Sequence, residues 1–217
     1  MSMPNNILIV EQEPLIAYCI ENALNHVFKS SFRTRLATSY DQAHSVIATL
    51  NKVNLVFLNM DLSSTHEKFQ VINKIINALK NKSPNVKFLV MTSFKDNYKT
   101  ISIVKTFNPE SILLKSDIAF ADLTCAIESV ISGEPFYSKT ILRLFRSRMT
   151  SDITLDRTDH QILHYLSKGI RTKDLPELVF LSNSGVERRK RNLKIIFDVE
   201  QKNDRFLIEQ ARLKGFV

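Results

Sequence analysis

Through the first 133 residues, two kinds of hydrophobic pattern alternate along the chain. Short apolar runs at 7–10, 32–37, 53–60, 86–92 and 111–114 read as strands. Between them, apolar residues recur at helical spacing over about 14–28, 41–51, 67–82, 96–106 and 118–132. Ile16, Cys19, Ile20, Ala23, Leu24 and Val27 form one such stripe, and Phe69, Ile72, Ile75, Ile76 and Leu79 another. Strands that are apolar throughout, each followed by a helix, predict a parallel sheet covered on both faces. Five such repeats predict a flavodoxin-like, doubly wound domain over 1–133. Sites in such domains lie at the carboxyl ends of the strands, which here carry Glu11–Glu13, Asn59–Asp61, Thr92–Ser93 and Lys115.

The pattern changes at Gly133–Glu134–Pro135. Residues 134–153 read as a short docking helix, with Ile141, Leu142, Leu144 and Phe145 apolar, and then a linker. From 154 to 217 no strand pattern remains, and four short helices fit. Asp156 caps the first, which ends at Gly169, and Thr172 caps the second, with Pro176 tolerated in its first turn. Leu181 and Ser182 turn the chain into a third helix from Asn183 to about Phe197, and Asn203 caps a fourth. Two short helices and a tight turn ahead of a basic helix form a helix-turn-helix pattern.

Charge sharpens this picture. The net charge is +8, and residues 134–217 hold 17 basic against 11 acidic side chains, so the excess gathers there. The third helix places Val186, Leu193, Ile196 and Phe197 inward, and carries Arg188, Arg189, Lys190, Arg191 and Lys194 against a single Glu187. Such a run can be no more than a solvated face. Four consecutive cations nevertheless repel one another, a cost that an anionic partner removes. Ser182 and Ser184 stand where hydroxyls and free N–H groups meet phosphate. Arg188 and Arg191 can bond guanine, Glu187 can accept from cytosine, and Arg171, Thr172 and Lys173 lie ready for the DNA backbone.

Other chemistry is sparse. With four glycines there is no Gly-rich phosphate cradle, and no Walker motif, Rossmann motif or nucleophile–base pair occurs, so no enzyme is expected. His26, His44, His66, His160 and His164 do not cluster with cysteine, and no metal site is expected. Cys19 and Cys125 read as buried core thiols of a reducing cytosol. No run approaches ~18 apolar residues, and MSMPNNILIV lacks a basic stretch before its apolar run. A cytoplasmic location with no membrane contact is therefore expected.

Leu155, Thr158, Ile162–Leu163, Leu166–Ser167–Lys168–Gly169, Thr172–Lys173–Asp174–Leu175, Leu181–Ser182 and Val186 together resemble the LuxR/NarL-type DNA-binding domain. The resemblance implies a homodimer on double-stranded DNA carrying an inverted repeat, with base contacts from Glu187, Arg188 and Arg191. The stretches ILIVEQEPLI, VNLVFLNMDL, FLVMTS and ILLKSD resemble the receiver domain of two-component response regulators. That family takes a phosphoryl group on an aspartate nucleophile and holds Mg2+ with acidic oxygens.

In this chain Glu11 and Lys115 match the family and Thr92 remains, but Gln12 is neutral and Asn59 stands at the acceptor position. Leu62–Ser63, Ile112 and Ser116 also depart from the family pattern. Ordinary phosphorylation is expected to be absent, and Mg2+ binding weak or absent. Several alternatives stay open. Asp61 can serve as a substitute acceptor, or Asn59 can deamidate. Thr92 and Lys115 can be residual, with Lys115 pairing Glu11. A small ligand can sit on Lys115, Thr92 and Asn59, or a partner protein can dock on the receiver-like domain. The expected activity is DNA-binding transcription regulation without aspartyl phosphorylation. The competing expectation is an interaction adaptor with weak or sequence-blind DNA binding.

Overall fold

The computed structural model describes residues 6–29, 31–62, 68–93 and 97–217. Ser63 and His66, and the side chain of Phe69, lie outside the described residues. The chain divides into two compact units, 1–95 with 103–141, and 142–217 with 96–102.

The first unit is a wholly parallel sheet in the order β2-β1-β3-β4-β5-β6. Its strands are β1 (Asn6–Val10), β2 (Arg33–Ala37), β3 (Leu55–Asn59), β4 (Lys87–Thr92), β5 (Ser111–Leu114) and β6 (Phe136–Tyr137). They alternate with α1 (Pro14–Phe28), α2 (Tyr40–Thr49), α3 (Lys68–Lys82), α4 (Asn97–Phe107) and α5 (Phe120–Ser132); α6 (Lys139–Met149) follows β6, and the start of α4 and α6 from Leu142 onward belong to the second unit. All five residues of β3 are buried, as expected of a central strand packed on both faces. β2 lies at an edge and is mostly exposed.

β6 was not marked by the pattern. Only two residues long, it follows Pro135 and pairs Phe136 with Ser111 and Tyr137 with Ile112, extending the sheet to a sixth strand. Helix ends follow local chemistry. Ser39 accepts from the Gln42 N–H at the start of α2, and Gly133, at φ 96°, closes α5 in the left-handed region that a side chain would strain.

Cys125 corrects an expectation. Leu123, Ala126, Ile127 and Val130 take the buried face of α5, and Cys125, out of phase with them, is exposed. Cys19 is half-buried rather than buried.

The second unit is helical: α7 (Arg157–Ser167), a 3-10 turn at Thr172–Asp174, α8 (Leu175–Val179), α9 (Asn183–Ile196) and α10 (Asp204–Leu213). Its core joins Ile162, Leu163, Leu175, Val179, Val186, Leu193, Phe197, Leu207, Ala211 and Phe216. The Phe216 ring stacks on His160 at 5.7 Å, and the Arg148 guanidinium lies 3.6 Å from its centroid. Asp156 and Asn203 accept from backbone N–H groups at the starts of α7 and α10, as expected of caps, and Ser182, expected to turn the chain into α9, also caps that helix. Thr172 does not cap a long second helix; it opens the 3-10 turn, and α8 is only five residues long. Ile196 is 37% exposed rather than inward, because Phe197 fills the core at that end of α9. Among the described residues, no helix is long and apolar enough to cross a membrane.

Candidate nucleic-acid interface and carboxylate pocket

The helical phase of α9 sorts its charges. Val186 and Leu193 face the core, so residues 184, 187, 188 and 191, spaced by three and four, share an exposed face. Ser184, Glu187, Arg188 and Arg191 are all exposed there. Glu187 accepts from Lys190 at 3.3 Å, across the helix's own surface. Among the described residues, Arg188 and Arg191 have no carboxylate partner. At the amino end, Ser182 Oγ accepts from the Gly185 N–H at 3.1 Å and lies 3.0 Å from Ser184 Oγ. Asn192 extends the exposed face by one helical step from Arg188, and its amide can bond an adenine edge. Nothing in the composition of the run singled it out; only the phase of the helix does.

The remaining cations of α9 hold the second unit together. Arg189 Nη1 lies 2.6 Å from Asp156 Oδ2 and 2.8 Å from Asp159 Oδ1, tying α9 to the start of α7. Lys190 Nζ reaches Asp204 Oδ2 at 3.3 Å and Thr172 Oγ1 at 3.0 Å. Lys194 Nζ reaches Asp204 Oδ1 at 2.9 Å and the Lys202 carbonyl at 2.7 Å. Burial opposes the negative charge on Asp204, but its bonds to Lys194 and the charge of Lys190 outweigh this and hold its carboxyl below the ordinary value of 3.8. Asp156 is lowered likewise, with burial outweighed by the Asp159 N–H and by Arg189. Three of the five cations are therefore engaged inside the unit, which also relieves the repulsion within the run. Thr172 Oγ1 accepts from Lys190 Nζ, and its hydroxyl donates to Asp204 Oδ2, 3.5 Å away. Lys173 is exposed, and Arg171 makes only a surface pair with Asp174 at 3.2 Å.

At the carboxyl ends of β1, β3, β4 and β5, the sheet gathers a second group of side chains. Asn59 ends β3 and is buried; its Nδ2 donates to Glu11 Oε1 at 2.7 Å, and its Oδ1 accepts from the Asp61 N–H at 2.8 Å. Lys115 Nζ lies 3.0 Å from Glu11 Oε2 and 2.7 Å from Glu13 Oε1. Burial works against the lysine charge, but its bonds to Glu13 and Glu11 outweigh it and raise its pKa. The Glu11–Lys115 pair named in one of the open alternatives is present, and Glu13 joins it. Tyr40 donates to the Asn59 carbonyl at 3.0 Å, and burial, with the charges of Asp61 and Glu11, holds its hydroxyl well above the ordinary phenol value. Asp61 accepts from Thr92 Oγ1 at 3.3 Å and from the Ser93 N–H at 2.7 Å. Gln12 is exposed.

These residues do not fit Mg2+. Both oxygens of Glu11 face donors, an amide on one side and an ammonium on the other, and the neighbouring Asn59 presents its NH2 to that carboxylate. Among the described residues, no group of three or more His, Cys, Asp or Glu side chains is arranged to hold a metal ion.

No family model matches the chain. The Fimbriae Z protein of Salmonella typhimurium is 22% identical to it over 197 residues, covering 88% of this chain and 89% of that protein. RcsB from Salmonella enterica serovar Typhimurium, solved bound to a promoter in the presence of phosphomimetic BeF3-, superposes with a TM-score of 0.62 at 16% identity, covering 98% of this chain and 99% of that one. A structure of two RcsB dimers bound to two parallel DNAs gives 0.60 at 15% identity, over 97% of this chain and 99% of that one. Over nearly its whole length, the chain thus has the fold of RcsB, a parallel α/β unit followed by a helical unit.

Proposed function

We propose that this protein is a DNA-binding transcription regulator of response-regulator type that works without aspartyl phosphorylation. The observation that carries the DNA reading is the exposed face of α9, where Ser184, Glu187, Arg188 and Arg191 stand together, with Arg188 and Arg191 free of carboxylates among the described residues. Arginines placed this way can bond guanine O6 and N7 with two donors. Arg171, Lys173 and the hydroxyls of Ser182 and Ser184 serve the phosphate backbone. The DNA complexes of RcsB support this use of the fold, and its DNA-bound dimers support a homodimer; the two-fold symmetry of such a dimer calls for an inverted repeat with half-sites about one helical turn apart. Phosphate independence rests on Asn59, whose amide offers no carboxylate to phosphorylate.

Titrating full-length protein into labelled duplex DNA at several salt concentrations tests this reading. With about six cations on phosphates across a dimer, log affinity should fall against log salt with a slope near −5. Affinity that ignores salt would contradict a DNA-backbone interface.

One observation favours the adaptor reading. Arg189, Lys190 and Lys194 are engaged inside the unit, which leaves less charge for DNA. Salt-sensitive binding that any competitor duplex displaces equally well would favour it.

A further inference from the structure

At the carboxyl edge of the sheet, two donors converge on one carboxylate. Thr92 ends β4 and is fully buried, and its Oγ1 lies 3.3 Å from Asp61 Oδ1. The next residue, Ser93, donates its backbone N–H to Asp61 Oδ2 at 2.7 Å. Both donors are fixed by the sheet, because β4 pairs in register with β3 through Met91 and Asn59, and with β5 through Thr92 and Leu114. Asp61 lies just past β3 and is anchored by its own N–H on Asn59 Oδ1 at 2.8 Å. An O–H and an N–H aimed at one point beyond the ends of parallel strands make a seat for an oxyanion. A carboxylate presents two oxygens to such a pair, and so does one edge of a phosphate. Lys115, at the end of β5, is held by Glu11 and Glu13.

The geometry points to an oxyanion seat at Thr92 Oγ1 and the Ser93 N–H that the chain fills with its own Asp61 carboxylate, excluding free phosphate-class anions. This rests on the phosphate-independent reading and deepens it, for the first unit then carries its anion permanently. A tethered ligand competes at an effective concentration in the millimolar range or above, so a free anion must bind far more tightly to displace it.

The Ser93 amide reports on the seat directly. In full-length wild type, its proton–nitrogen resonance should not move with millimolar inorganic phosphate beyond the effect of chloride at equal ionic strength. In Asp61→Ala the resonance should change at once, then shift saturably with phosphate, with apparent affinity at least roughly tenfold above wild type. Asp61→Ser serves as a second variant should the first fold poorly, and adding Thr92→Ala should abolish the phosphate response of either. A saturable phosphate shift in wild type, or none in both folded variants, overturns the inference. So does a mass increase of wild type with a small acyl-phosphate donor, which would make Asp61 an acceptor instead. None of these readouts involves DNA, so a failure to bind DNA leaves them standing, and their failure leaves DNA binding untouched.

Discussion

The amide of Asn59 donates from Nδ2 to Glu11 and accepts through Oδ1 from the Asp61 N–H. A carboxylate in its place can accept but cannot donate, and would face Glu11 Oε1 across the 2.7 Å that the amide now bridges. Asn59→Asp should therefore lower stability at neutral pH by about 1–3 kcal/mol. The loss should shrink on acidification, as one carboxyl of the pair takes a proton, and on adding Mg2+, which two carboxylates can share. Urea denaturation with and without Mg2+ measures this, and equal stability of variant and wild type in both conditions would contradict it.

On α9 the arginines should separate by role. Arg188→Ala and Arg191→Ala should each weaken base discrimination by roughly 1–3 kcal/mol with little change in melting temperature. Arg189→Ala should instead cost about 1 kcal/mol of stability by leaving Asp156 and Asp159 unpaired. Thermal melts beside competition with mismatched duplexes distinguish the two classes; a destabilised Arg188→Ala, or a stable Arg189→Ala that loses discrimination, would reverse the assignment. These roles were partly hidden in the sequence. The run Arg188–Arg191 is plain as a basic stretch, but Asp156 lies 33 residues from Arg189, and Glu13 lies 102 from Lys115. Only the fold brings such pairs together.

Elements were more legible than pairings. Period located α7, α9 and α10, with the turn at Leu181–Ser182 marking α9 and the caps Asp156 and Asn203 marking α7 and α10, because those caps act locally, on N–H groups two or three residues ahead. β6 escaped because two residues at a sheet edge carry no period, and Cys125 and Ile196 were misjudged where apolar residues crowd both sides of a helical phase boundary. The link between α9 and α10 carries its own expectation. Asp204 is held below its ordinary value of 3.8 despite burial, so its contribution to stability is complete above that pH and is lost as pH falls through the lower folded-state value. The helical unit should therefore weaken from about pH 4 downward. Asp204→Asn should cost about 1 kcal/mol at pH 7, discounted for solvent screening, and flatten that acid dependence. Circular dichroism followed against pH checks it, and an unchanged acid profile in the variant would remove Asp204 as the cause.

At the scale of the whole molecule, the two units carry different kinds of information. The first holds a polar network that joins Asn59, Glu11, Lys115, Glu13, Asp61, Thr92 and Ser93. The second presents a sorted basic helix to solvent. On the proposed function, a regulator built this way is expected to need no phosphodonor to bind DNA. The most direct measurement is selection from random duplex DNA by untreated full-length protein, with no phosphodonor present. Enrichment of an inverted repeat is expected, with half-sites about one helical turn apart. Tight binding to every duplex without enrichment, or enrichment only after a phosphodonor is added, would contradict a sequence-specific regulator that works without phosphate.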